Sequence, residues 1–220
     1  MKIDELDGFI FDLDGTLFAS TGMWHDIYGK ALAHFGIDMP ADYTEHVNHL
    51  NIARGTAYTA ERFGIEGGAK AVEKVWRELS GKAYANDIEL TPHAKELLYA
   101  LKKEDKHLAI ATALDRDLAE TCLSRHGIAG LFEAFAEVGE VGRDKSSPDV
   151  YLHAAKLIGL PPARCAVFED GEVGARSAHG AGFFTAGVID PFSGSDPQRM
   201  AAVCDRLERD LGGYLADIVS

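Results

Sequence analysis

Gly8-Phe9-Ile10-Phe11-Asp12-Leu13-Asp14-Gly15-Thr16 is the stretch that decides the fold. A continuous apolar run ended by acids and a glycine reads as a parallel-sheet strand carrying polar chemistry at its carboxyl end. Along a strand, residues two apart share a face, so Asp12 and Asp14 both look into the same crevice when Leu13 turns into the core. After Leu90-Thr91-Pro92 the same texture recurs. Leu97, Leu98 and Leu101 turn inward on a helix predicted over 92–103, with a proline near its start. A strand over Leu108-Ala109-Ile110-Ala111-Thr112 is followed by a helix over 115–126 that Gly127 closes. A short strand near 135–138 precedes a helix over 149–158, carried by Val150, Tyr151, Ala154, Ala155 and Ile158. Cys165-Ala166-Val167-Phe168 is a strand meeting Glu169-Asp170, and a small-residue helix over 174–180 leads to a last strand over 183–188. The tail over 196–215 reads as helical. Strands alternating with helices predict an α/β fold, a Rossmann-like parallel sheet with helices on both faces.

Between the first motif and Pro92 no strand pattern appears. Trp24, Ile27, Tyr28, Ala31, Leu32 and Phe35 form one apolar stripe that Gly36 stops. Shorter helices fit 42–50 and 54–63, the second ending before Gly64, and Val72, Val75, Trp76 and Leu79 mark another. Residues 18–88 are therefore expected to form an inserted all-helical, four-helix unit, and 1–17 with 89–220 the sheet domain. Trp24 and Trp76 lie on these stripes and are expected in the core of the insert rather than as platforms for a substrate.

The 220 residues carry 35 acids against 22 bases, a formal net charge of −13. That balance argues against a nucleic-acid partner, which needs a basic face to displace counterions from phosphates. No apolar run approaches a membrane span, and the N-terminus lacks a signal-peptide core. Cys122, Cys165 and Cys204 lie far apart and fit reduced residues of a cytoplasmic protein. A monomer is the default expectation.

Ligands of open parallel sheets bind beyond the carboxyl ends of the strands. Those ends carry Asp12 and Asp14, then Thr112, then Glu169 and Asp170, with Lys145 in the polar loop Gly142-Arg143-Asp144-Lys145-Ser146-Ser147-Pro148. Carboxylates pressed together without a cation raise one another's pKa. A hard divalent cation removes that cost, and oxygen-only ligands favour Mg²⁺ over Zn²⁺. His46-Val47-Asn48-His49 lacks supporting acids or cysteines and reads as a solvated helix face.

Taken together, Asp12-Leu13-Asp14-Gly15-Thr16, Thr112 after a strand, Lys145 with Pro148-Asp149 behind it, and Phe168-Glu169-Asp170 with Gly174, Ala178, Gly180 and Gly182 resemble the haloacid dehalogenase superfamily. The helical insert resembles the four-helix cap of its β-phosphoglucomutase-like branch. The resemblance implies that Asp12 attacks phosphorus and forms an aspartyl-phosphate, while Asp14 protonates the leaving oxygen and later takes a proton from water. It implies phosphate binding by Gly15, Thr112 and the N–H of Ala113, with Lys145 offsetting charge. It also implies Mg²⁺ held by Asp12, the carbonyl of Asp14, Asp170 and Glu169. Gly171 departs from the small polar residue that relatives often carry there. His25, Asn51 and Arg54 are candidates to face the cleft and select the substrate.

The expected activity is Mg²⁺-dependent hydrolysis of a small phosphorylated metabolite, a sugar phosphate or similar monoester. The alternative is a β-phosphoglucomutase-like sugar phosphomutase, which shares both aspartates but needs basic groups in the cap for a second phosphate. Dehalogenases of the superfamily lack the second aspartate, so Asp14 argues against that chemistry. Phosphonatases need a cap lysine, whereas Lys30, Lys70, Lys74 and Lys82 fall at solvent positions of their helices. A non-enzymatic binding module is expected to have lost one of Asp12, Asp14, Lys145 or Asp170.

Overall fold

A computed structural model describes residues 2–48 and 50–219. Six strands form one parallel sheet: β1 (Gly8–Phe11), β2 (His107–Thr112), β3 (Ala134–Glu137), β4 (Cys165–Glu169), β5 (Phe184–Val188) and β6 (Arg206–Glu208). Their spatial order is β3-β2-β1-β4-β5-β6. The order reverses between β1 and β4, and a crevice opens at such a switch point beyond the carboxyl ends. Register fixes what reaches it, because Phe11 pairs with Phe168 and Asp12 therefore emerges beside Glu169.

The period-two pattern splits the sheet's side chains between two cores. Phe9, Phe11, Leu108, Ile110 and Phe168 lie on one face; Ile10, Ala109, Ala111 and Val167 lie on the other. The first face is covered by α5 (Ala94–Lys103), α6 (Arg116–Arg125) and α11 (Gly212–Ile218), and the second by α8 (Asp149–Leu157) and α9 (Glu172–Gly180). Phe11 and Phe168 stack with ring centroids 4.4 Å apart directly beneath the crevice. Phe168→Ala is expected to cost about 3–5 kcal/mol of stability through the cavity it leaves, read as a lower urea midpoint.

Between β1 and α5 the regular elements are helical: α1 (Thr21–His34), α2 (Tyr43–Val47), α3 (Ile52–Phe63) and α4 (Gly68–Asn86). Their shared core is aromatic, with Trp24, Tyr28, Tyr43, Trp76 and Tyr84 all buried. Trp76 fits because α3 carries Gly55 opposite it, where an added Cβ would stand 2.9 Å from the ring. Among the described residues no helix is long and apolar enough to cross a membrane.

Three local expectations are corrected. The helix expected over 42–50 is only α2, which ends at Val47. The strand expected near 135–138 ends at Glu137, and Val138 instead opens a short helix, α7 (Val138–Val141). The tail is not one helix but α10 (Pro197–Ala201), β6 and α11. Met200, Val203, Leu207, Leu211 and Tyr214 are spaced as on a helix, yet the open edge of β5 takes residues 206–208 as its partner strand.

Candidate active site

The crevice floor is built from strand ends. β1 delivers Asp12, β4 delivers Glu169 and then Asp170, and the loop between α7 and α8 brings in Lys145. Lys145 Nζ lies 2.6 Å from Asp12 Oδ1 and 2.5 Å from Glu169 Oε1, so one ammonium bridges two carboxylates. Tyr151, on α8, donates to the same Glu169 oxygen at 2.6 Å. Burial alone would push the Lys145 ammonium down, but the two adjacent carboxylates override it and hold its pKa above that of an ordinary lysine. Asp170 is different. Burial, with the charges of Glu169, Asp12 and Asp190, pushes its pKa well above the ordinary carboxylate range. Among the described residues it has no hydrogen-bond donor.

Small residues permit this crowding. Gly15 has φ +82°, and a side chain there would run into the Asp170 carboxylate. A Cβ on Gly174 would stand 2.5 Å from the Tyr151 hydroxyl and 2.7 Å from the Glu169 carboxyl carbon. The N–H of Gly15, expected to bind phosphate, instead donates to the Phe18 carbonyl at 2.8 Å and closes the turn that leads into the insert. At the end of β2, Thr112 Oγ1 accepts from the Leu114 N–H at 3.1 Å, which leaves its hydroxyl hydrogen for another acceptor. Thr112 and Ala113 both border the cleft.

Asp14 stands apart from the floor cluster. Burial raises its pKa to about 6 against the pull of donors from Ser20, Tyr84 and Trp24, and the charge of Asp12 adds to the rise. A carboxyl group in that range suits an acid–base role near neutral pH.

Above the floor lies a cavity of about 300 Å³. The insert contributes Trp24, Tyr28, Leu50, Ile52 and Trp76 to its wall; the loop after β5 contributes Ser193 to Asp196. Trp24 and Trp76 are buried as expected, yet they also border the cavity. The expected substrate selectors are elsewhere. His25 is exposed on α1 and does not line the cavity. Asn51 caps α3, accepting from the Arg54 N–H at 3.0 Å. The Arg54 guanidinium reaches Asp144 at 3.0 Å and the Gly142 carbonyl at 2.9 Å, so it ties the insert to the loop that carries Lys145. His46 lies on the exposed face of α2, and His49 falls outside the described residues. Sequence reasoning missed Ser20, Tyr84 and Tyr151, the side chains that hold the acids. Tyr84 and Tyr151 signal themselves only as hydroxyls on otherwise apolar helix faces, and Ser20 only as a hydroxyl just before α1.

The donor set fits a hard cation. Asp12, Glu169 and Asp170 each place a carboxylate oxygen within 4.8 Å of the others, all buried. One ammonium faces these three carboxylates, and Asp170 has no counter-charge of its own. Oxygen donors in this number suit Mg²⁺. Glu169 Oε1 is already occupied by Lys145 and Tyr151, so Asp12 and Asp170 are the freer ligands.

Residues 6–182 match the haloacid dehalogenase-like hydrolase family. Hexitol phosphatase A of Escherichia coli is 32% identical over 189 residues, covering 84% of this chain and 83% of its own length. The β-phosphoglucomutase of Bacillus subtilis is 31% identical over 202 residues, covering 85% and 86%. In structure, CbbY from Rhodobacter sphaeroides in complex with phosphate superposes with a TM-score of 0.79 over 94% of this chain and 96% of that one, at 23% identity. With its strand-end acids, its helical insert and this extent of match, the chain belongs to the haloacid dehalogenase-like hydrolases, in the branch that includes β-phosphoglucomutase.

Proposed function

We propose that this hydrolase is a Mg²⁺-dependent phosphatase that cleaves a small phosphate monoester, a sugar phosphate or similar metabolite, through a phosphoryl group carried on Asp12. The observation that carries the reading is the grouping of Asp12, Lys145 and Asp170 on a buried floor, with a raised-pKa acid, Asp14, two residues from the nucleophile. Asp12 attacks phosphorus as the bond to the leaving oxygen breaks, and Asp14 gives that oxygen its proton. Water then attacks the same phosphorus, Asp14 takes its proton, and Asp12 is released with free phosphate. Lys145 offsets charge on Asp12 and on the transferring group, and the Thr112 hydroxyl and Ala113 N–H bind phosphoryl oxygens. Bound by Asp12, Asp170 and the Asp14 carbonyl, with Glu169 beside them, Mg²⁺ would neutralise the carboxylates and polarise a phosphoryl oxygen.

In this reading residues 1–17 and 89–220 are the catalytic core, and 18–88 a cap that restricts what reaches it. A cavity of about 300 Å³ is at the small end of ligand pockets, which favours a metabolite over a phosphoprotein or nucleic acid. The mutase reading has a relative in its favour but weak support in the cleft. Arg54 is engaged by Asp144, and among the described residues only Lys145 and Arg199 bring cationic side chains to the cavity. Three unpaired cysteines suit a reducing compartment, and we place the enzyme in the cytoplasm.

The test is a panel of sugar and polyol phosphates with free phosphate as readout, with and without EDTA. Turnover is expected only with Mg²⁺; isomerised sugar phosphate without free phosphate would favour the mutase. Mg²⁺ is also expected to stabilise EDTA-treated protein by about 2.7 kcal/mol at a hundred times its Kd, read as a higher melting temperature. No shift would count against the Asp12–Asp170 site.

A further inference from the structure

Asp14 is held by groups that do not touch the floor cluster. Ser20 Oγ donates to its Oδ1 at 2.5 Å, and the Tyr84 hydroxyl donates to the same oxygen. Trp24 Nε1–H lies 2.7 Å from the Tyr84 oxygen and 3.2 Å from Asp14 Oδ2, so the tyrosine is its nearer acceptor. Ser20 precedes α1, Trp24 is in the first turns of α1, and Tyr84 is in the last turn of α4. The Trp24 ring is fixed in turn by Trp76, edge-on at 6.1 Å.

The hydrogens give this arrangement a direction. A carboxylate oxygen has two lone pairs, and two hydroxyl donors fill those of Oδ1. The single hydrogen of Tyr84 is spent on Oδ1, which leaves the tyrosine oxygen to accept from Trp24. Oδ2 then takes only the longer branch of the shared Trp24 N–H and keeps a lone pair to carry a proton. We infer that Tyr84 and Trp24 are positioning residues for the acid–base step, a conclusion that rests on the reading of Asp14 as the acid. Tyr84 shares in filling Oδ1 and takes the nearer branch of the Trp24 N–H, which weakens the hold of that donor on Oδ2. Oδ2 gives its proton to the leaving oxygen as the P–O bond breaks, and regains one from the attacking water. Because Trp24 and Tyr84 belong to α1 and α4, the acid is oriented while those helices sit over the cleft.

Tyr84→Phe removes one oxygen and keeps the ring, which also packs against Phe18 at 6.2 Å. In this variant Trp24 loses its nearer acceptor and turns to Oδ2. Two probes read the consequence: glycerol 2-phosphate, whose alkoxide needs a proton to leave, and p-nitrophenyl phosphate, whose phenolate leaves without one. The kcat/KM for glycerol 2-phosphate, which reports the transfer to Asp12 and not the later water step common to both probes, is expected to fall about tenfold or more, and that for p-nitrophenyl phosphate by less than about twofold. Equal losses on the two probes would overturn the positioning role and leave Tyr84 as packing. Asp14→Asn, run alongside, separates the two levels. Its full activity on glycerol 2-phosphate would remove the acid–base reading itself; its loss, with equal effects in Tyr84→Phe, would remove only the positioning inference.

Discussion

Asp12→Asn is expected to abolish phosphate release, by roughly ten-thousand-fold or more in kcat, while leaving the fold intact. The side chain is buried on the cleft floor, at the carboxyl end of the central strand β1, with its Oδ1 on Lys145 at 2.6 Å. An amide has the same shape but cannot attack phosphorus as an anion, so the covalent step is lost. Stability should hold or rise, because Glu169 and Asp170 lose a repelling neighbour; burial and the charge of Asp12 both push their pKa values up. The measurement is steady-state phosphate release beside a thermal melt. Retained activity in a correctly folded variant would show that Asp12 is not the nucleophile.

Lys145→Ala is expected to lose both activity and stability. The ammonium is buried and bridges Asp12 and Glu169, and without it two buried carboxylates face Asp170 with no other cation bonded to them among the described residues. Removing one member of a buried ion pair costs about 3–5 kcal/mol, since the charge left behind is neither solvated nor paired. Loss of charge stabilisation at the transferring group adds a drop of about a hundred- to a thousandfold in kcat. Saturating Mg²⁺ should recover part of the stability but little of the activity. A variant as stable as the wild type, in EDTA at neutral pH, would contradict the electrostatic account of the floor. The contrast with Asp12→Asn is diagnostic, because there activity falls alone.

Much of this site was legible before the structure. Continuous apolar runs ended by polar residues mark parallel strands, and the sheet itself assembles what those ends carry. Asp12, Thr112, Glu169 and Asp170 needed no other signal, and Lys145 stood out through the motif order. What failed depends on contacts distant in sequence or on backbone geometry. The partners of Asp14 include Tyr84, 70 residues away, whose hydroxyl is invisible in an apolar stripe. Arg54 was a candidate through its position in the insert, by resemblance to the branch; its guanidinium binds Asp144, 90 residues on. The turn that the Gly15 N–H closes with the Phe18 carbonyl is likewise a matter of backbone geometry that a short motif does not display. In the tail, helical spacing lost to the unsatisfied edge of β5. The overall charge of −13 hid a floor where one lysine faces three acids.

The covalent role of Asp12 is tested most directly by acid-quenching the enzyme during turnover of p-nitrophenyl phosphate with Mg²⁺ and weighing its peptides. The peptide that contains Asp12 is predicted to carry the added mass of one phosphoryl group, which is absent in EDTA and in Asp12→Asn. Sustained phosphate release with no phosphorylated peptide, or with the label on another residue, would contradict it.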